Sequence, residues 1–392
     1  MRRLLESTLL WTCALVVAVS AAIAGLVPLD VLKGGQFVGQ AVRFDRTGEK
    51  LCRYFANGKS SDVLLIGSSL FLYPAIRTDE AMDDCPARYD ESYVINNISN
   101  YSSARYFEKL LSAQAERPIS VVNLCTAGSV MSDQFHVFRK VCATGRKPAL
   151  LICDVSPREF FDPSLSDPAK TPVYRAIADW SCLSDLFDTT QTAESVGQSL
   201  IGSVWNLYRE RAFWRDLFVN STAWLTGHAV DLQSACQTDF SKQKGSKSWD
   251  RYRRALLADG KVSPPIYEQP ATWAGDLKHY RFMYSPIKES QVNMQFLYLE
   301  RLLATAQREK VKVCLVQMPL SRANLQLLPQ SVPEGINLKA KNLAKKYGAK
   351  FLLPDSDVKF TDSDFEDSAH LNAEGGRKLF KTLSMEAADI QL

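Results

Sequence analysis

Residues 63–74 read VLLIGSSLFLYP. Four apolar residues stop at Gly67, two serines follow, and apolar residues then resume. A short buried strand that ends at a glycine turn is the opening of a β-then-α unit. The turn also raises a chemical question, because a strand end is where an exposed hydroxyl would stand.

The same pattern recurs along the chain. Short apolar runs at 63–66, 119–124, 149–154, 311–318 and 349–353 alternate with stretches of helix-like spacing at 103–116, 133–145, 289–308, 338–346 and 373–388. Strands apolar along their whole length fit a sheet covered on both faces. The alternation therefore predicts an α/β chain, a flavodoxin-like three-layer sandwich with a parallel sheet whose ligands bind at the carboxyl ends of the strands.

The chain has 392 residues, 46% of them hydrophobic, enough for a large core with a sizeable insertion. Its 47 basic and 43 acidic residues leave a net charge of +4, spread without a basic stripe, so nucleic-acid binding is not expected. No internal repeat points to a solenoid. Between Glu6 and Asp30 there is no charged residue, and STLLWTCALVVAVSAAIAGLVPL is long enough to span a bilayer as one helix. Arg2 and Arg3 precede it, which places the short tail in the cytoplasm and exports the rest. Ala22-Ile23-Ala24 also fits a cleavage site, but the apolar stretch exceeds a signal peptide's usual core, so an uncleaved anchor is favoured. The expected organisation is a transmembrane signal-anchor at 1–30, a juxtamembrane linker at 31–60 and one domain at 61–392 with an insertion at 163–288.

That insertion holds six of the seven tryptophans, Trp180, Trp205, Trp214, Trp224, Trp249 and Trp273. Tryptophan can form a platform for sugars, acyl chains or a membrane surface, and equally fills the core of a small helical subdomain. The basic run SKQKGSKSWDRYRR at 241–254 reads as a solvated face or as a contact for anionic lipid or polymer. Of the nine cysteines, Cys125, Cys153 and Cys314 lie in apolar runs and read as buried thiols, while Cys52 with Cys85 and Cys182 with Cys236 are candidate bridges. No Cys/His spacing suggests a metal site, and no cofactor is expected. A nucleotide-binding reading lacks both GxGxxG and GxxxxGK[ST].

A serine needs a base, and the chain has four histidines. His136 lies in an apparent helix, His228 in the insertion, and His279 beside Tyr280. His370 differs: FEDSAHLNAEGGRKLF at 365–380 puts Asp367 three residues before it, after the last strand and before the last helix. That spacing lets a carboxylate orient the imidazole. It also suits a helix start capped by Asp367 or Asn372.

Together, the strand-Gly-Ser-Ser turn and the distant Asp-x-x-His resemble the SGNH (GDSL-type) hydrolase and acyltransferase superfamily. By that resemblance Ser69 is the nucleophile, Asp367 and His370 complete the triad, and Gly128 in VVNLCTAGSVMSD, with the amide of Ser69, forms the oxyanion hole. Ser68 stands where the family usually has aspartate and is expected to shape the turn or touch substrate. The family's Gly-x-Asn-Asp block is replaced here by LLICDVSPREFFD, so Ser156 and Arg158 become candidate donors or substrate contacts, Arg158 otherwise pairing with Asp154 or Asp162. In VCLVQMPLSRANLQLLP, residues Gln317, Ser321 and Asn324 are candidate contacts at the site rim, or ordinary loop residues.

The anchor, the GSS turn and the DxxH are similar to a membrane-anchored bacterial-envelope subset that includes DltD-like and alginate O-acetylation proteins. The resemblance implies an extracytoplasmic serine esterase or O-acyltransferase acting on an acyl ester of an envelope polysaccharide or a lipid-linked substrate. It implies as partners the membrane, through the N-terminal helix, and a membrane-bound O-acyltransferase. The alternative is a non-catalytic binding or assembly component of an envelope polysaccharide-modification complex, suggested by the missing asparagine and the aromatic insertion.

Overall fold

The computed structural model describes residues 49–83, 101–178, 182, 273–354 and 358–389. The chain divides into two compact units, Met1–Arg46 with Ala178–Gln237 and Thr47–Ile177 with Thr238–Leu392. Among the described residues the first unit holds only Ala178 and Cys182, so the fold below is that of the second. The apolar segment within 1–30 lies outside the described residues, as do Cys85, Cys236 and five of the insertion's six tryptophans. Among the described residues no helix is long and apolar enough to cross a membrane.

Five strands form one sheet: β1 (Val63–Ile66), β2 (Val121–Asn123), β3 (Leu150–Val155), β4 (Lys312–Gln317) and β5 (Lys350–Leu352). Four fall inside an apolar run of the sequence, and β3 passes the end of its run by one residue. β1 and β3 are buried at every position, as strands covered on both faces must be. All pairings are parallel, in the order β2-β1-β3-β4-β5, with Val63 opposite both Val121 and Leu150. This is the flavodoxin-like order. The chain moves one way from β1 to β2 and the other way from β3 onward, so the crevice at the carboxyl ends of β1 and β3 is the topological switch point.

Right-handed crossovers in opposite directions put helices on opposite faces. One group comprises α2 (Ser69–Asp83), α3 (Arg105–Ala115) and the last helix, α11 (Ala373–Asp389), which pack on one another. The other comprises α4 (Met131–Ala143), α8 (Glu289–Glu309) and α10 (Ser331–Tyr347), with the short helices α5 (Arg158–Phe161), α6 (Pro172–Ile177) and α9 (Arg322–Leu325) between them in the chain. In the first group Phe107 stacks on Phe380 at 5.0 Å. Gly376 lets α11 lie against α2, because a Cβ there would meet Thr78 Cγ2 at 2.8 Å and Pro74 Cβ at 3.0 Å.

Helix α2 is absent from the sequence expectation for two reasons. Pro74 interrupts it, and Leu70, Phe71, Leu72, Tyr73, Ala75 and Ile76 are all buried, so it has no polar face to reveal a helical period. The first two turns of α10 were likewise hidden by Pro333 and Gly335. The stretch assigned to a linker ends differently too. Within 31–60, α1 (Glu49–Asn57) buries Leu51 and Tyr54, and its buried Lys50 donates to the carbonyls of Tyr101, at 2.9 Å, and of Cys125. Burial pulls the Lys50 amine down to about 7. An amphipathic helix whose apolar face lies in the core, with a buried amine held by carbonyls, belongs to the domain rather than to a tether.

The described ends of the insertion also join the core. Trp273 is buried there, just before α7 (Ala274–Met283), which makes this tryptophan a packing residue. Cys125, Cys153 and Cys314 are buried thiols, as their apolar runs suggested.

Candidate active site

Gly67 ends β1 because the space where its side chain would be is taken. A Cβ there would lie 2.5 Å from Asp154 Cγ, at the end of the neighbouring β3. With that carboxylate beneath the turn, Ser68 folds inward, and both its amide and its hydroxyl donate to Asp154 Oδ2 at 2.8 Å. The Gln134 amide donates to the other oxygen at 2.6 Å. Ser68 is fully buried, so it shapes the turn and is out of substrate's reach.

Ser69 opens α2 and remains partly exposed. Its Oγ lies 2.8 Å from His370 Nε2, and His370 Nδ1 lies 2.7 Å from Asp367 Oδ2. The second Asp367 oxygen accepts the amides of Ala369 and His370 at 2.9 and 2.8 Å. A bridge between Phe365 and Leu371 closes the loop that carries both residues. Asn372 then starts α11, its Oδ1 accepting the amides of Glu374 and Gly375. The two readings of this motif are therefore divided between its residues: Asn372 caps the helix and Asp367 holds the His370 imidazole.

Electrostatics favour an ion pair here. Burial opposes the charge on Asp367, but His370 and the loop amides outweigh it and hold the carboxyl below its ordinary value. Burial likewise opposes the imidazolium, and the Asp367 charge and hydrogen bond, with Asp276 and Glu366 behind them, raise His370 above its ordinary value. Tyr73, one turn along α2 from Ser69, stacks on the imidazole at 4.1 Å and 22°. Arg77, the next turn, pairs with Glu366 on the loop and with Glu80 at 2.9 Å. Helix α2 thus holds the base by three successive turns.

Gly128 has φ +76°, a conformation that favours glycine. Its turn lies alongside the serine turn, since Leu124 N donates to Leu65 O at 2.8 Å and Thr126 N to Gly67 O at 2.9 Å. Arg158 braces the turn from behind: its guanidinium donates to the Gly128 carbonyl at 3.2 Å and the Ser129 carbonyl at 3.4 Å, and pairs with Asp162 at 3.0 Å. Of its two expected partners Arg158 takes Asp162, and its two terminal nitrogens bind the loop and that carboxylate.

Three more candidate contacts lie inside the protein. Ser156 is fully buried beyond the end of β3. Asn324 and Ser321 are buried and serve the Asp-x-x-His loop: Asn324 Nδ2 donates to Ser368 Oγ at 3.2 Å, and Ser321 Oγ to the Ser368 carbonyl at 2.6 Å. Tyr284 OH holds the Asn324 oxygen at 2.6 Å. Gln317 is partly exposed at the end of β4, paired with Val155. Among the described residues no group of His, Cys, Asp or Glu is arranged to hold a metal ion.

Two groups escaped sequence reading. Asp276, on α7, accepts the Ser368 amide at 3.0 Å. Glu159 is fully buried beside the β3 end, near Ser68 and Asp154. Burial first, and then the Asp154 charge, push Glu159 up to about 8, while burial pushes Asp154 up to about 6. Neither residue carried a motif that could have announced it.

No curated protein matches the chain. Among solved structures, it is similar to the crystal structure of LAE5, an alpha/beta hydrolase enzyme from the metagenome of Lake Arreo, Spain, at 12% identity over 84% of this chain and 95% of that one. The TM-score is 0.33, too low to bear on fold or chemistry. A family model described as a protein of unknown function (DUF1574) matches residues 99–383, a span that begins after the Ser69 turn and includes Asp367 and His370. That span is well over half of the chain, and the chain belongs to the DUF1574 family.

Proposed function

We propose that this chain is an SGNH-like serine esterase or O-acyltransferase. The observation that carries the reading is the continuous chain from Ser69 Oγ through His370 to Asp367, at 2.8 and 2.7 Å. His370 Nε2 takes the Ser69 proton as Oγ attacks an ester carbonyl, and Asp367 stabilises the imidazolium. The amides of Ser69 and Gly128 receive the oxyanion. When the tetrahedral intermediate collapses, the C–O bond to the leaving alcohol breaks and His370 returns the proton to that alcohol. Water or a polymer hydroxyl then resolves the acyl-serine by the same steps in reverse.

The apolar segment at 7–29 supports an extracytoplasmic site tethered to the membrane, with an acyl ester of an envelope polysaccharide or a lipid-linked ester as substrate. A membrane-bound O-acyltransferase is the protein partner this placement favours. The test is labelling of the purified protein by a serine-reactive fluorophosphonate. Wild type is expected to label and Ser69→Ala to be silent; equal labelling of the two would sink the assignment.

A second reading is favoured by one observation: the segment that replaces the family's Gly-x-Asn-Asp block has no asparagine, and its buried Asp154 serves the serine turn. On that reading the chain is a non-catalytic binding or assembly component of an envelope complex. Turnover of a short-chain ester or an acetylated glycan by the purified protein excludes it.

A further inference from the structure

The loop that carries the base spends three consecutive amides on carboxylates. Those of Ala369 and His370 go to Asp367, at 2.9 and 2.8 Å, and that of Ser368 goes to Asp276 at 3.0 Å. The Ser368 hydroxyl donates to the same Asp276 oxygen and accepts from Asn324. The Ser368 carbonyl is held by Ser321. Every polar function of this buried serine is thus engaged, and of its side-chain partners Asp276 alone brings a formal charge.

We propose that Asp276 is a positioning residue for the Ser69–His370 pair: its carboxylate fixes the loop through Ser368 and adds a second negative charge that favours the imidazolium. The inference rests on reading Ser69, His370 and Asp367 as a catalytic triad. An imidazole accepts a proton readily only where charge is arranged to receive it, and here the arrangement is shared between elements far apart in sequence. Asp276 precedes Ser368 by 92 positions and enters on the helix where the insertion returns to the sheet.

Among the described residues the charged and titratable groups around the base are few. Glu366, Asp367 and His370 come from the loop, Asp276 and Tyr280 from α7, Tyr284 from just past its end, and Ser69, Tyr73 and Arg77 from α2. Arg77 is engaged by Glu366 and Glu80, so the field at the imidazole is set by Asp367 and Asp276 first. The two carboxylates also act on each other. Burial, followed by the Asp367 charge, outweighs the Ser368 hydrogen bonds and the imidazolium and pushes Asp276 up to about 7, so its charge is in place above about that pH.

The test uses the full chain and the rate of fluorophosphonate labelling between about pH 5 and about pH 9, the range in which a histidine titrates. Asp276→Asn keeps an oxygen for the Ser368 amide and removes the charge. Its acid limb is expected at lower pH than that of wild type, with the melting temperature retained. Asp276→Ala loses both functions, and its labelling rate is expected to fall about tenfold, the scale of a displaced catalytic group. An acid limb in Asp276→Asn that superimposes on wild type overturns the proposal, because a purely structural acid would leave it in place. If wild type itself does not label, the Ser69 reading fails, and NMR titration of the His370 imidazole still judges Asp276. A lower midpoint in Asp276→Asn then supports the proposal and an equal midpoint overturns it.

Discussion

Asp154 accepts both the amide and the hydroxyl of Ser68, each at 2.8 Å, and fills the space a side chain on Gly67 would need. The geometry of the serine turn therefore depends on a residue of the adjacent strand, 86 positions away. Gly67→Ala would force a methyl against that carboxylate. Strain of this kind costs about 1–3 kcal/mol, so the variant is expected to melt earlier and to label more slowly. An unchanged melting temperature would show that the turn has slack.

Removing any one member of an interlocked triad should cost almost as much as removing all of it. Ser69→Ala and His370→Ala are each expected to lower ester turnover by about a thousandfold or more, and the double variant to go little further. Additive losses would mean that the two residues act separately despite their 2.8 Å contact.

The working form of His370 is the neutral imidazole, so activity should rise with pH through its titration. Because the surrounding charges raise that titration above the ordinary 6.5, the acid limb is expected above 6.5. Asp367→Asn removes the largest of those charges and the tautomer control as well. Its acid limb should move to lower pH, and its plateau should drop by about a thousandfold or more. The pH profile of kcat/KM measures both.

Glu159 gives a prediction about stability. Its carboxyl rises from 4.5 in the free state to about 8 in the folded protein, mainly through burial. Between those limits the folded chain holds a proton that the unfolded chain has released, so stability falls as pH rises from 4.5 to about 8. Glu159→Gln cannot ionise. Its melting temperature should decline less over that window than the wild-type value, and parallel curves would place the proton elsewhere.

Asn324 separates scaffolding from substrate contact. Asn324→Ala leaves Tyr284 OH and Ser368 Oγ short of a partner inside the protein, a loss of about 1–3 kcal/mol. Denaturation and kcat should register it, with KM little changed. A selective rise in KM would restore the substrate-contact reading.

The sheet was legible because each strand is built round a short apolar run, and the Ser69 partners because, of the three histidines with an aspartate three residues before them, His136, His279 and His370, only His370 stands between the last strand and the last helix. Less legible were features whose signal lies in three dimensions. Helix α2 is buried all round, so periodicity passes over it. Ser321 and Asn324 look like rim residues in a loop and turn out to hold Ser368 from within. Asp276 has no spacing relation to the motif it supports, and Ser156 and Arg158 gave no sign that one is enclosed and the other committed to a loop.

The packing of Gly376 against Pro74 and Thr78 has a consequence in time. It docks the last helix, and the loop before it, directly onto the helix that begins with Ser69. Ser69 precedes His370 by 301 positions, so at about 5–20 residues per second the ribosome exposes the serine roughly 15 to 60 seconds before its base exists. Throughout that interval the hydroxyl is an ordinary alcohol. On the proposed reading the serine becomes a nucleophile only once the last helix has docked and brought His370 to it.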